Sequence, residues 1–230
     1  MAAPGIAIVS SHLKSQFLEG LPPPDRKTIL AAATRRQFVA HSVITNQGHP
    51  ADQLFLLTKG RARQFYVTEE GKKLLLQWLG PGDLFGGRTI LSSRSSYLVS
   101  TEVVMDSSVV VWDRTSIRGL VARYPRLLEN ALLTASDYVA WQLTSHISLA
   151  CYTARQRVAH VLAALARTIG QEAPGGVALH ITNEDLASAA NVTPFTASRL
   201  ISEWQRNHAM VKRRGEILLR SPERLFMRTV

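Results

Sequence analysis

Four glycines recur at nearly constant spacing in the first half of this chain, and this spacing strongly constrains the fold. Gly48, Gly60, Gly71 and Gly82 lie 12, 11 and 11 residues apart. From Arg36 to Trp112, the intervals hold short apolar runs whose period is near two. Glycine takes the positive φ that tight turns need. Regular short strands with glycine turns therefore predict an antiparallel β-sandwich or barrel.

A helical pattern replaces the strand pattern near Tyr124. Apolar residues recur every three or four positions as far as Ala150, and Pro125 suits the first turn of a helix. A helix of ~25 residues is ~37 Å long, and this one carries two apolar stripes. One stripe is expected to face the β domain. The other either pairs with the same helix of a twin chain or is buried within one chain. This second stripe consists of Leu132, Ala135, Val139, Leu143 and Ile147.

Two short helices joined by a tight turn are predicted further along the chain. Thr182 is expected to cap the first helix, with Asp185 completing a variant of the capping box. Thr193 is expected to cap the second, with Pro194 at its first position. Together with the turn Asn191-Val192-Thr193, these helices predict a helix-turn-helix.

Shorter elements flank this pair of helices. The pattern predicts a helix from Arg155 to Ile169, a loop from Gln171 to Gly176 and a short strand from Val177 to His180. Met210 to Arg220 is predicted to close as two strands around Arg214-Gly215-Glu216, which would form a basic wing.

The positive charge of the chain is concentrated near its C-terminal end. The formal net charge is +10, and residues 193–230 hold eight basic residues against three acidic ones. Such an excess suits a polyanionic partner, nucleic acid before a membrane surface. The alternative is a solvated basic tail.

The second helix of the pair is predicted to enter the major groove of DNA. Arg199 would then donate two hydrogen bonds to guanine O6 and N7. Phe195 either packs against a thymine methyl group or packs on its own domain, and the sequence leaves both open. The predicted base-reading residues are Thr193, Phe195, Thr196 and Arg199. The predicted phosphate contacts are Thr182, Asn183, Lys212, Arg213 and Arg214.

Cysteine content and hydropathy bear on the cell compartment. Cys151 is the one cysteine of the chain, which excludes an intramolecular disulfide framework and favours a reducing cytoplasm. No apolar run approaches the ~18 residues of a membrane span. We therefore expect a cytoplasmic protein with no membrane partner.

A glycine-rich β-roll, a long helix and a winged helix-turn-helix, in this order, resemble the CRP/FNR family of bacterial transcription regulators. The resemblance is strongest over Gly80–Gly86 and Ile181–Gly215. It implies an α+β chain with an N-terminal antiparallel, jelly-roll-like β-roll sensor domain over residues 1–123. A dimerisation helix would follow over residues 124–150, and a winged helix-turn-helix DNA-binding domain over 151–230. It further implies a homodimer without catalytic activity that binds palindromic double-stranded DNA, with RNA polymerase as a partner.

Departures from the family pattern limit which effector to expect. The cyclic-AMP branch has a Glu after the residue equivalent to Gly86, where this chain has Gly87. By an ungapped count its phosphate-binding pair falls here on Tyr97-Leu98, although Arg94-Ser95-Ser96 or Arg88 lies close enough to take that place after a shift. Its base-contacting Thr-Ser pair falls on Gln142-Leu143, with Thr144-Ser145 out of register. These mismatches disfavour cyclic AMP. A single cysteine excludes an iron–sulfur cluster. Some family members bind haem, but no two of the seven histidines have the helical i, i+4 metal spacing, so neither haem nor a metal site has support.

An effector of another kind is expected between the β-roll and the long helix. Its binding would shift the long-helix pair and so reorient the recognition helices. The alternative function is a ligand-sensing module that acts through a protein partner, which the salt dependence of binding would distinguish. The expected effector-pocket residues are Gly86, Gly87, Arg88, Thr89, Ser95, Ser96, Tyr97, Gln142 and His146.

Overall fold

The computed structural model describes residues 14–213 and 215–226, which form two compact units. The first unit holds residues up to 73 and residues 79–140. The second holds residues 74–78 and the chain from residue 141 onwards. The N-terminal sheets, the long helix and the helix-turn-helix confirm the predicted α+β class.

Antiparallel strands dominate the first unit. One sheet has the order β1–β8–β3–β6, and in a second sheet β7 lies between β2 and β4. Residues 74–78 of β5 group with the second unit. The strand bounds are β1 (Thr34–Phe38), β2 (Val43–Thr45), β3 (Gln53–Lys59), β4 (Ala62–Val67), β5 (Lys73–Leu79), β6 (Leu84–Phe85), β7 (Ser100–Val103) and β8 (Ser107–Asp113).

Strand β3 is buried on both of its faces, which explains its unbroken apolar run. Leu54 and Leu56 belong to one core cluster, which includes helical residues, whereas Phe55 and Leu57 belong to a second, which includes residues of the other sheet. Successive side chains of a strand point to opposite faces. Four apolar residues in succession therefore complete two cores at once.

The glycine spacing marks real turns. Gly48, Gly60, Gly71 and Gly82 all have positive φ, between 80° and 100°. At Gly60 a Cβ atom would also lie 2.7 Å from the carbonyl oxygen of Asp106, so the neighbouring turn leaves no room for a side chain. The predicted β pattern from Arg36 to Trp112 is confirmed by strands that run from Thr34 to Asp113.

Two helices of the first unit were not predicted from the sequence. They are α1 (Pro23–Ala31) and α2 (Arg114–Arg123). Asp113 caps α2 by accepting a hydrogen bond from the backbone N–H of Ser116, and Ile117 is fully buried. The sequence pattern missed α2 because a glycine interrupts it and few of its positions are apolar.

The long helix runs from Pro125 to Cys151 as α3, in agreement with its prediction. Among its residues only Leu127 and Asn130 are buried. The hypothesis that both apolar stripes are buried within one chain is therefore wrong. The second stripe is 46–68% exposed at Leu132, Val139, Leu143 and Ile147, and Ala135 is also exposed.

The second unit packs three helices against a small sheet whose order is β11–β12–β10–β9. The predicted loop from Gln171 to Gly176 is partly wrong, because Gln171–Ala173 forms β9. The residues of β9 show no apolar alternation. The strand forms because its backbone pairs with β10. The elements are α4 (Ala154–Thr168), β9 (Gln171–Ala173), β10 (Gly176–Leu179), α5 (Asn183–Ala189), α6 (Pro194–Arg206), β11 (Met210–Arg213) and β12 (Glu216–Leu219).

Candidate nucleic-acid interface

The first helix of the predicted pair, α5, begins with the expected capping box. The Thr182 hydroxyl accepts a hydrogen bond from the Asp185 backbone N–H at 3.1 Å, and the Asp185 carboxylate accepts from the Thr182 hydroxyl at 2.9 Å. Leu186 and Ala187 are buried on the opposite side of the helix. The cap satisfies backbone donors that the helix leaves unpaired at its start.

The turn between α5 and α6 is held tightly to the first helix. Asn191 takes φ 48°, a left-handed conformation that asparagine tolerates better than most residues. The Val192 backbone N–H then donates to the Ala187 carbonyl at 2.9 Å. Ala187, whose carbonyl accepts this bond, is almost completely buried.

Helix α6 presents a narrow exposed stripe that begins at its N-terminus. Thr193 caps the helix by accepting from the Thr196 backbone N–H, and Pro194 is its first residue. Phe195, Arg199, Ser202 and Arg206 are exposed, at spacings that place them on one side of the helix. The buried face consists of Ala197, Leu200, Ile201 and Trp204.

Phe195 does not belong to the core of its own domain. Its side chain is 78% exposed, although it is large and apolar. The alternative in which it packs on its own domain is therefore wrong. Within the described residues no carboxylate lies within 4 Å of the exposed Arg199 side chain. An aromatic ring and a guanidinium one turn apart thus both face solvent at the start of α6.

The two predicted threonines are more constrained than Arg199. The hydroxyl oxygens of Thr193 and Thr196 lie 2.9 Å apart and share a hydrogen bond. The Thr193 hydroxyl also accepts the helix cap from the Thr196 backbone N–H. These hydroxyls therefore fix the helix start in addition to any contact they make with a partner.

Two predicted phosphate contacts are brought together although they are 29 residues apart. The Lys212 ammonium group on β11 donates to the Asn183 side-chain oxygen at 2.6 Å, at the first residue of α5. Arg213 is exposed and lies 3.7 Å from the Glu216 carboxylate across the wing. Arg214, which was also predicted to contact phosphate, lies outside the described residues.

Sequence reasoning missed two residues of this region. Arg206 continues the exposed stripe of α6, and its helical spacing of seven from Arg199 was the available signal. Arg157 on α4 holds the turn itself. Its Nε donates to the Ala190 carbonyl at 3.0 Å and its Nη2 to the Asn191 carbonyl at 3.1 Å, while Nη1 donates to the Tyr152 carbonyl at 3.0 Å. No sequence pattern marks these long-range bonds.

The predicted effector residues in the β-roll form a compact group around β3. Thr89 is buried, and its hydroxyl donates a hydrogen bond to the Gln53 carbonyl at 2.8 Å. The Tyr97 hydroxyl accepts from the Gln53 N–H at 3.1 Å and donates to its carbonyl at 2.9 Å, while burial raises the Tyr97 pKa. At Gly86, with φ 78°, a Cβ atom would lie 2.7 Å from the Gln53 carbonyl. These groups fix the loop to β3.

The other predicted effector residues are less constrained. Gly87 begins a 3₁₀ turn that ends at Ile90 and includes Arg88, which is half-buried. The Ser95 hydroxyl lies 3.4 Å from the Arg88 carbonyl, and Ser96 pairs with Pro50 in an isolated β-bridge. Gln142 and His146 lie one turn apart on α3, in the part that belongs to the second unit.

The described chain has neither a membrane-spanning helix nor a cluster of metal ligands. No helix there is long and apolar enough to cross a membrane. Over residues 14–213 and 215–226, no three His, Cys, Asp or Glu side chains cluster as metal ligands would.

Known proteins resemble both units. The family model for the cyclic nucleotide-binding domain matches residues 35–124, and that for the Crp-like helix-turn-helix domain matches residues 156–227. The cyclic AMP receptor protein of Thermus thermophilus is 30% identical over 190 residues, which cover 81% of this chain and 84% of the relative.

Solved structures share the fold of this chain. The structure of FixK2 from Bradyrhizobium japonicum shares the fold with a TM-score of 0.74 at 22% identity, covering 84% of this chain and 95% of the other. A transcriptional regulator of the CRP/FNR family from Thermus thermophilus has a TM-score of 0.70 at 25% identity, covering 84% and 96%. Because the 30% identity to the Thermus receptor covers 81% of this chain and 84% of the receptor, this chain belongs to the CRP/FNR family of DNA-binding transcription regulators.

Proposed function

We propose that this regulator acts in the cytoplasm as a homodimer, has no catalytic activity and reads a palindromic site in double-stranded DNA. The exposed stripe at the start of α6 carries the proposal. Phe195 and Arg199 face solvent there, on a helix whose other face is fixed in the core. A helix supported in this way can enter the major groove with its N-terminal half.

Arg199 is the residue assigned to guanine. A guanidinium offers two parallel N–H donors that match O6 and N7 of guanine and discriminate against other bases by about 1–3 kcal/mol. Thr193 and Thr196 lie beside it at the helix start, and their mutual hydrogen bond leaves oxygen lone pairs for a base or a phosphate.

Phe195 is assigned to a thymine methyl group. Apolar contact with the 5-methyl group is the means by which a ring without polar atoms distinguishes thymine in the major groove. Burial of one methyl group contributes about 0.8 kcal/mol, or roughly fourfold in affinity. The preferred site should therefore contain a thymine next to the guanine that Arg199 reads.

Backbone phosphates are assigned to the rim of the same surface. Thr182 and Asn183 lie at the start of α5, where the positive end of the helix dipole favours an anion. Lys212 bonds to Asn183, so its charge is already placed at that helix start. Arg213, together with Arg214, would extend the positive surface along the wing.

The second apolar stripe of α3 is assigned to dimerisation. Leu132, Val139, Leu143 and Ile147 are largely exposed in the single chain, and together with Ala135 they recur at the spacings of three and four that are typical of paired helices. With Ala135 as a small residue between them, they would pack against the same stripe of a twin chain. Two recognition helices would then meet half-sites about 34 Å apart.

We assign sensing to residues 1–123, dimerisation to 124–150 and DNA binding to 151–230. An effector other than cyclic AMP or an iron–sulfur cluster would bind near Gly86–Thr89, Ser95–Tyr97, Gln142 and His146. Its effect would pass along α3 to the recognition helices, and RNA polymerase would be the partner at promoters. Coupling of this kind is typically worth about 1–3 kcal/mol.

In vitro selection from random duplex DNA tests the proposal. We expect the purified protein to enrich a palindrome, and Arg199→Ala to lose preference at one base pair of each half-site while remaining a dimer. Arg167→Ala is the matched control, because Arg167 is an exposed arginine at the end of α4 in the same unit. Unchanged selectivity of Arg199→Ala would remove Arg199 from base recognition.

The thymine assignment has its own test on the selected site. Replacing the relevant thymine by deoxyuridine removes only the methyl group. We expect about fourfold weaker binding by the wild type and no effect of the same replacement on Phe195→Ala. Equal losses in both proteins would show that Phe195 does not contact the methyl group.

A further inference from the structure

A small basic cavity lies in the first unit, beside the loop that carries predicted effector residues such as Thr89 and Ser95. It has a volume of about 360 Å³ and is formed where the loop after the 3₁₀ turn meets the first turns of α2. Three of its five lining residues are arginines, and none is acidic. The lining residues are Ser92, Arg94, Arg114, Thr115 and Arg118.

Arg114 forms a preorganised wall of this cavity. Its Nη1 donates to the Thr89 carbonyl at 2.9 Å, and its Nη2 lies 2.6–3.1 Å from the carbonyls of Leu91, Ser92 and Ser93. These bonds tie the loop to α2 without neutralising the arginine, because every acceptor is a carbonyl. A fixed cation therefore stands beside the cavity.

The other two arginines supply charge that the chain leaves uncompensated. Arg94 and Arg118 are exposed, and within residues 14–213 and 215–226 no carboxylate lies within 4 Å of either guanidinium. The carboxylate nearest to Arg118 in sequence is that of Asp113. It is occupied by the backbone N–H and hydroxyl of Ser116, at 2.9 and 2.6 Å.

We propose that this cavity binds the phosphoryl group of a small phosphorylated molecule. Guanidinium groups match phosphate oxygens through paired N–H donors, and the Ser92 and Thr115 hydroxyls add neutral donors for a tetrahedral anion. The volume lies at the small end of ligand pockets, which suits a phosphate with a short carbon chain. A polymer would instead require charges extended along a surface.

Occupancy of the cavity would bear on the loop that carries the predicted effector residues. Arg114 binds the Thr89 carbonyl directly, and the Thr89 hydroxyl binds Gln53 on β3. Because Arg94 lies on this loop and Arg118 on α2, a phosphoryl group bound by both would hold the loop more firmly against α2. The site thus offers a small phosphorylated metabolite a route to the sensor domain through Arg114 and Arg118 of α2, which are not among the nucleotide contacts expected of the family.

The experiment is a phosphorus-31 NMR titration of inorganic phosphate with the full-length protein at constant ionic strength and without DNA. We expect saturable binding at one site per chain, and about tenfold weaker binding for Arg94→Gln and for Arg118→Gln. Both side chains are exposed, so the substitutions leave the core intact. Arg123→Gln, an exposed arginine further along α2, is the matched control and should bind as the wild type does.

A second arm with glycerol 3-phosphate distinguishes the two sources of a phosphoryl group. Tighter binding of the ester supports a phosphorylated metabolite, and equal binding supports free phosphate. Equal phosphate affinity of the wild type and the Arg94→Gln, Arg118→Gln double variant would overturn the proposal. Because no DNA is present, this outcome is independent of the DNA-binding assignment.

Discussion

Removal of the Arg157 guanidinium should destabilise the turn of the helix-turn-helix without changing the exposed face of α6. We consider Arg157→Met, which keeps an apolar stem and removes the guanidinium. Its bonds to the Ala190 and Tyr152 carbonyls are half-buried, whereas its bond to the Asn191 carbonyl is exposed. Hydrogen bonds to a charged group contribute about 1.5–3 kcal/mol each, and water replaces most of the exposed one. Losing the two half-buried bonds should therefore destabilise the second unit by about 3 kcal/mol.

Amide hydrogen exchange measures this loss at the turn. The Val192 N–H is a suitable probe because it donates to the Ala187 carbonyl at 2.9 Å next to the carbonyls that Arg157 holds. A loss of about 3 kcal/mol corresponds to a protection factor lower by roughly 100-fold. Amides in the core of the first unit, such as that of Leu56, should exchange at unchanged rates.

Arg167→Met is the control, since Arg167 is an exposed arginine on the same helix, and it should leave the Val192 amide protected. If Arg157→Met also leaves that protection unchanged, the three hydrogen bonds do not stabilise the turn, and the argument from their burial is refuted.

Further substitutions test other parts of the chain. Asp113→Ala should destabilise the first unit by about 1 kcal/mol at pH 7 through loss of the helix cap. Hydrogen bonds from the hydroxyl and the backbone N–H of Ser116 lower the pKa of Asp113. The Asp113 carboxylate therefore stabilises the fold fully above its unfolded-state pKa, and this stabilisation is lost as the pH falls through its lower folded-state pKa. Chemical denaturation of wild type and variant should converge in acid, and a constant difference would contradict this. Gly86→Ala should cost about 1–3 kcal/mol, because φ is 78° and a Cβ atom would meet a carbonyl of β3; an unchanged melting temperature would disprove it. Leu132→Glu with Val139→Glu should give monomers in analytical ultracentrifugation, and persistent dimers would move the interface elsewhere. Lys212→Gln should reduce the slope of log affinity against log salt by about one on any DNA sequence; an unchanged slope would remove Lys212 from the phosphate contacts.

Local rules were sufficient to predict most elements of this fold. The caps at Thr182 and Thr193 depend on residues three positions away, and the glycine turns depend on the φ of single residues. Helix α2 and strand β9 were missed because neither has a periodic apolar pattern. Helix α2 forms because Ile117 packs in the core, and strand β9 forms because its backbone pairs with β10.

The sequence by itself predicted that Arg199 lies on the exposed face of α6, because a helix with one buried face leaves a predictable exposed one. Only the tertiary structure decided what holds that surface in place. Lys212 meets Asn183 across 29 positions, and Arg157 binds carbonyls on two separate segments. In the β-roll, likewise, Tyr97 meets Gln53 across 44 positions. The same holds for the cavity, where the chain brings Arg94 beside Arg114 and Arg118. Such contacts join residues whose separation along the chain carries no periodic signal, so they exist only once the segments have packed.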